Sequence, residues 1–121
     1  MSKRILVVED QEDNRRIVRD LLTSVGFELV EATTGEEGVQ QAKLHSPDLI
    51  LMDIQMPVLD GYEATRQIKS MPELRHIPII VVTSYAMSGD EAKAQSAGAD
   101  AYVAKPFSPR ELLSKIQSLL S

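Results

Sequence analysis

The feature that most constrains the fold is an alternation. Short apolar runs, RILVV (4–8), FELVE (27–31), LILMD (49–53), IIVVT (79–83) and AYV (101–103), are separated by longer stretches with helical character. Most of the runs are near-continuous in apolar residues and several are β-branched, the composition of parallel strands covered on both faces. The stretches between them carry helix start signals. Thr34, Asp60, Ser88 and Ser108 each stand three residues before a glutamate, and Ser108 is followed by Pro109, a favoured first helical residue. Ile17, Val18, Leu21, Leu22 and Val25 share one face of a predicted helix over about 12–25. Leu112, Leu113, Ile116, Leu119 and Leu120 do the same over about 109–120. The helix after Ser88 offers only Ala92, Ala94 and Ala97, so it is expected to dock loosely. Five strand–helix repeats with short connections predict an α/β fold: a doubly wound, five-stranded parallel sheet with right-handed crossovers and five helices on its two faces.

Length and composition bound the function. The 121 residues suit one domain with one core, without linker, repeat or low-complexity tract. A net charge of −5 argues against a nucleic-acid groove binder, which needs a basic surface. The absence of cysteine excludes disulfides, thiol catalysis and cysteine-based zinc sites. The apolar runs are too short to span a bilayer, and MSKRILVVED turns acidic too early for a signal peptide, so the expectation is a cytoplasmic protein with no membrane partner.

In a sheet of this kind, ligands bind beyond the carboxyl ends of the strands. Glu9 and Asp10 end the first apolar run, Asp53 the third and Thr83 the fourth, and Lys105 follows the fifth by two residues. The fold therefore brings these five residues to one edge, which explains why a carboxylate closes the run LILM. Three carboxylates in one place repel unless a cation joins them, and an oxygen-only set suits a hard ion such as Mg²⁺. Carboxylates, a metal site, an ammonium and a hydroxyl around one point suit phosphoryl transfer, with an aspartate as nucleophile. Blander roles exist for each residue singly: Asp53 as a strand-end turn residue, Glu9 or Asp10 as caps of the first helix, Thr83 as a strand residue, Tyr102 as ordinary packing. His45 and His76 lack partner carboxylates at metal spacing, and the five methionines are scattered.

With these residues in view, the chain resembles the receiver domain of two-component response regulators over its whole length. ILVVEDQEDN, DLILMDIQMPVLDG, PIIVVTSYA, GADAYVAKPF and the closing amphipathic helix carry the resemblance in register and in order. It implies a flavodoxin-like sheet in the order 2-1-3-4-5. It further implies that Asp53 accepts a phosphoryl group from a phosphohistidine of a sensor histidine kinase or a histidine phosphotransfer protein. Asp10 and Asp53 would bind Mg²⁺ directly, Glu9 through water, and the backbone carbonyl of Gln55 would complete the protein ligands. Lys105 would contact a phosphoryl oxygen, with a cis bond to Pro106. Thr83 would move to the phosphoryl group and the Tyr102 ring would turn inward behind it. Output is expected on the face of the fourth helix, fifth strand and fifth helix, toward a protein target. Ser84 departs from the small alanine usual beside the switch threonine, and Gln55 and Tyr85 stand where the family tunes phosphate loss.

Two other classes compete. Haloacid-dehalogenase-type phosphatases also use Mg²⁺ and an aspartyl nucleophile, but need an acid two residues later, where this chain has Gln55. A flavodoxin-like electron carrier must cradle a phosphate in its first loop, and EDQEDN would repel one. The protein is thus expected to be no enzyme beyond catalysing its own phosphorylation and dephosphorylation. The chain ends at Ser121, just after the last helix, so the expectation is one receiver domain over 1–121 with no output domain. It would be a free-standing regulator, a phosphorelay shuttle or a receiver excised from a hybrid kinase; Met1-Ser2-Lys3 and the clean ending favour the first.

Overall fold

Strands form where the apolar runs stand: the three central ones are buried on both faces, and the edge runs 28–32 and 101–104 are largely half-buried. In the computed structural model, which describes residues 3–53, 60–83, 90–105 and 107–120, the strands are β1 (Arg4–Val8), β2 (Glu28–Ala32), β3 (Leu49–Asp53), β4 (Ile79–Thr83) and β5 (Ala101–Ala104). The helices are α1 (Glu12–Ser24), α2 (Gly35–His45), α3 (Gly61–Ser70), α4 (Asp90–Ala97) and α5 (Pro109–Leu120). All strand pairs are parallel and the order is β2-β1-β3-β4-β5, as expected. The second strand sits one residue later than the apolar run suggested. Phe27 instead turns the chain out of α1, donating its N–H to the Leu22 carbonyl.

Alternate strand residues feed two separate cores. Leu6, Val8, Ile50, Met52, Ile79 and Val81 pack with α2, α3 and α4 on one face. Ile5, Val7, Leu49, Leu51, Ile80 and Val103 pack with α1 and α5 on the other. Each such buried aliphatic side chain contributes on the order of 1.5–3 kcal/mol. With both faces used, the runs read as continuous rather than alternating.

The expected caps form where they can be seen. The Thr34 hydroxyl and the Asp60 carboxylate accept the backbone N–H groups of Glu37 and Glu63 at 3.0 and 2.9 Å, and Ser108 accepts that of Glu111 at 3.0 Å. Ser88 lies outside the described residues. At α1 neither Glu9 nor Asp10 fills the blander role of a helix cap. The N-cap is Gln11, with no side-chain cap bond, and it is the Glu9 carboxylate that accepts the Gln11 N–H at 3.2 Å.

The apolar face of α1 is narrower than the sequence suggests. Leu22 is fully buried and Val18 and Leu21 are half-buried, whereas Ile17 is 62% exposed and Val25, the C-cap, 48%. The position that completes the stripe is Arg15, only 9% exposed. The helix α4 buries Ala94 and Ala97 and leaves Ala92 in solvent, so few apolar atoms hold it to the sheet.

Candidate functional site

Register decides what meets at the carboxyl edge of the sheet. Asp53 keeps the parity of Leu49 and Leu51 and therefore leans toward the α1–α5 side, where Glu9 continues from Val7. Both carboxylates are buried, each 5% exposed, and Asp10 is half-buried beside them. One carboxylate oxygen from each of Glu9, Asp10 and Asp53 lies within 4.8 Å of the other two. Lys105 reaches in from the end of β5. Its Nζ stands 2.9 Å from Glu9 Oε1 and 3.6 Å from Asp53 Oδ2, and its backbone N–H donates to the Thr83 carbonyl at 2.6 Å.

The electrostatics follow from this crowding. Burial pushes the Glu9 carboxyl above its ordinary range. A hydrogen bond with the Asp53 carboxylate adds to the shift, while Lys105 pulls it back. Asp10 is also raised, first by desolvation and then by its hydrogen bond with Glu9. Carboxylates that resist ionisation together have a shortage of positive charge, which a divalent cation makes good. Three mutually adjacent oxygen donors, two of them buried, fit a hard ion of the Mg²⁺ type, which takes few carboxylates and keeps its remaining waters. Both Glu9 oxygens already accept protein donors, Lys105 Nζ on one and the Gln11 N–H on the other.

Thr83 is fully buried and Tyr102 half-buried. Val81 is paired with Tyr102 and Thr83 with Ala104, so Thr83 and Tyr102 face the α4 side of the sheet on neighbouring strands. Tyr102 lines a groove of about 490 Å³ with Ala94 and Gln95 of α4 and Glu111 and Lys115 of α5. On the opposite side, a cavity of about 470 Å³ runs from Asp53 and Lys105 between Ile17 and Val18 of α1 and Phe107 and Leu112 near α5. Gln55, Ser84, Tyr85 and Pro106 lie outside the described residues. Glu9, Asp10, Asp53 and Lys105 are brought together as the sequence predicts, with Thr83 adjoining through its carbonyl.

Sequence reasoning missed two features. One is the buried Arg15. Its signal was present, because Arg15 stands at i, i+3, i+7 spacing with Val18 and Leu22, but a guanidinium is seldom expected on an apolar stripe. The other is that Lys105 is closer to Glu9 than to Asp53, a choice made by side-chain reach that spacing does not encode.

The sheet order and the acidic edge are those of a receiver domain of two-component signalling: residues 5–117 match the family of response regulator receiver domains, and the chain belongs to it. Among curated proteins it is 44% identical over 120 residues to the polar-differentiation response regulator DivK of Brucella ovis, covering 99% of this chain and 98% of that one. Among solved structures, the receiver domain of a sensor histidine kinase from Pseudomonas aeruginosa superposes with a TM-score of 0.92 at 38% identity, covering 99% and 98% of the two chains. That receiver holds a magnesium ion coordinated in its active site cleft. The chemotaxis response regulator CheY4 of Vibrio cholerae superposes with a TM-score of 0.92 at 28% identity, covering 99% and 100%. No helix among the described residues is long and apolar enough to cross a membrane.

Proposed function

We propose that this receiver takes a phosphoryl group from a phosphohistidine onto Asp53, and that the modified domain signals by binding another protein. The observation that carries the proposal is the convergence of the Glu9, Asp10 and Asp53 carboxylates within 4.8 Å, with Lys105 closing the cluster. A carboxylate oxygen of Asp53 attacks phosphorus, the P–N bond to the donor imidazole breaks, and the ring leaves neutral with its proton on the other nitrogen. Asp10 and Asp53 and, through water, Glu9 would hold Mg²⁺, with the Gln55 backbone carbonyl as the further ligand that the family resemblance implies. The ion would supply charge neutralisation for the phosphoryl oxygens. The two protein donors on Glu9 support the indirect role for that residue and the direct one for Asp10. Lys105 is paired with Glu9 before the reaction and turns its ammonium to a phosphoryl oxygen as charge arrives. Ile17, exposed on the lining of the cavity that also reaches Asp53, gives the phosphodonor, a sensor kinase or histidine phosphotransfer protein, an apolar foothold.

Output follows from Thr83. Its hydroxyl gains a hydrogen bond to the phosphoryl group, and the Tyr102 ring turns inward behind it. Both residues face the α4 side, and among its described side chains α4 buries only Ala94 and Ala97, so its position changes at low cost. The target reads the α4–β5–α5 face. Moving a switch from 1% to 99% active takes about 5.5 kcal/mol, more than one hydroxyl contact supplies, so the partner completes the shift. The chemistry is self-modification, without turnover of a separate substrate, and the place of action is the cytoplasm. Relatives of both kinds, a response regulator and a receiver of a histidine kinase, support a relay role alongside the switch. The test is the intact mass of the protein after acetyl phosphate, with Mg²⁺ and with the metal chelated. One phosphoryl group is expected with Mg²⁺ and none without it. Equal labelling in both would reject the metal-assisted reading.

A further inference from the structure

Glu9, Arg15 and Asp53 are the buried ionisable residues among those described, and Arg15 has no part in the chemistry above. Each nitrogen of its guanidinium makes one hydrogen bond. Nη1 donates to the Glu9 carbonyl at 3.0 Å, Nη2 to Glu12 Oε2 at 2.6 Å and Nε to Glu31 Oε1 at 3.3 Å. Glu31, on β2, is fixed in turn by both arms of Arg19, each at 2.7 Å. That grip holds the Glu31 carboxyl below its ordinary range, hydrogen bonding to Arg19 being the largest cause.

The carbonyl that Arg15 holds belongs to the peptide joining Glu9 to Asp10. On the other side of Glu9, its N–H donates to the Ala32 carbonyl at 3.0 Å. The backbone that carries both acidic side chains is therefore pinned on each side, to β2 by one bond and to α1 by the other. A charged donor to a buried carbonyl is among the stronger hydrogen bonds, and it fixes the plane of the peptide. Glu12 and Glu31 keep the guanidinium in place, so the peptide is set before any ligand arrives. Groups that orient metal ligands from behind matter nearly as much as the ligands themselves.

We infer that Arg15 is a positioning residue for phosphoryl acceptance: by holding the Glu9 carbonyl it sets the plane of the Glu9–Asp10 peptide and hence the approach of both carboxylates to Asp53. The inference rests on the proposed Mg²⁺ role of those carboxylates. The competing account makes Arg15 a staple of α1 onto β2, with no bearing on the site.

Arg15→Met and Arg19→Met separate the two accounts. Both weaken the α1–β2 network, but only the first removes the donor to Glu9. The full-length variants are compared with the parent by urea unfolding, by Mg²⁺ titration and by the amide resonance of Asp10 without metal. Arg15→Met is expected to weaken Mg²⁺ about 10-fold or more, within the range for orienting groups of metal ligands. Its Asp10 resonance is expected to move. With acetyl phosphate, the Mg²⁺ concentration for half-maximal rate is expected to rise while the rate at saturating metal recovers. Arg19→Met is expected to bind Mg²⁺ like the parent. Arg15→Lys keeps one charged donor and is expected to fall between the parent and Arg15→Met. If Arg15→Met binds Mg²⁺ as tightly as the parent, Arg15 is only a staple and the inference is overturned. If Arg15→Met does not fold, parent-like affinity in Arg15→Lys overturns it. A parent that binds no Mg²⁺ overturns the metal reading itself, and the inference with it.

Discussion

Gly38 tests how tightly the helix under the acidic edge is packed. It lies on the inner face of α2 against Val8, the residue before Glu9. A Cβ added there would stand 2.7 Å from Val8 Cγ2 and 3.1 Å from Cγ1, so the closest approach falls about 0.7 Å short of the ordinary 3.4 Å contact. Val8 is 1% exposed and β-branched, so its methyl groups have no alternative rotamer without cost. Overpacking of this kind costs about 1–3 kcal/mol. The helix gains about 1 kcal/mol when alanine replaces glycine. Gly38→Ala is therefore expected to lose about 1 kcal/mol, and the displaced Val8 is expected to carry Glu9 with it and weaken Mg²⁺ binding. Urea unfolding of Gly38→Ala, Val8→Ala and the double variant measures the clash directly. With the valine methyls gone, Gly38→Ala should become stabilising by about 1 kcal/mol, a coupling of about 2 kcal/mol between the sites. If Gly38→Ala stabilises the parent and the two effects simply add, the close packing of α2 on β1 is wrong.

Four further outcomes are expected. Glu9 and Asp10 are harder to ionise in the fold than their ordinary 4.5 and 3.8, so each binds its proton better when folded. The stability they contribute is fully present below those ordinary values and is lost as pH rises through the raised ones. Metal-free protein should thus gain stability relative to Glu9→Gln as pH falls from 7 toward about 4.5, which urea midpoints across that window measure. Glu31 has the opposite sign: its contribution is present above 4.5 and is lost as pH falls through its lowered value, so Arg19→Met should flatten the acid limb of the curve. Lys105→Ala removes the cation 2.9 Å from Glu9, so calorimetry should find Mg²⁺ bound at least as well as in the parent, while phosphoryl acceptance from acetyl phosphate falls. Asp10→Ala should weaken Mg²⁺ more than Glu9→Ala, since water rebuilds an indirect contact more readily than a direct one; the reverse order in a metal titration would exchange their roles.

Much of the fold was legible because its signals are local. β3 and β4 coincide with LILMD and IIVVT because a strand buried on both faces must be continuously apolar. Thr34, Asp60 and Ser108 mark helix starts because a side-chain oxygen answers an unpaired N–H three residues on. What was illegible depends on long-range geometry. Ile17 sits on the expected stripe yet remains in solvent, since the helix turns Arg15 rather than Ile17 toward the end of β1. Asp10 does not cap α1 because the helix begins one residue too late for it: Gln11 holds the N-cap position, with no side-chain cap bond. The convergence at the sheet edge could be argued from strand ends alone, whereas the pairing of Lys105 with Glu9 required the side chains themselves.

The central claim concerns one oxygen atom pair on one residue, and it can be read chemically. Acyl phosphates are reduced by borohydride to the alcohol, so an aspartyl phosphate becomes homoserine at the modified position. Protein treated with Mg²⁺ and acetyl phosphate, reduced and sequenced by tandem mass spectrometry, should carry homoserine at position 53, and Asp53→Asn should carry none. Homoserine at another aspartate, or phosphoryl uptake by Asp53→Asn equal to that of the parent, would contradict the assignment of Asp53 as the acceptor.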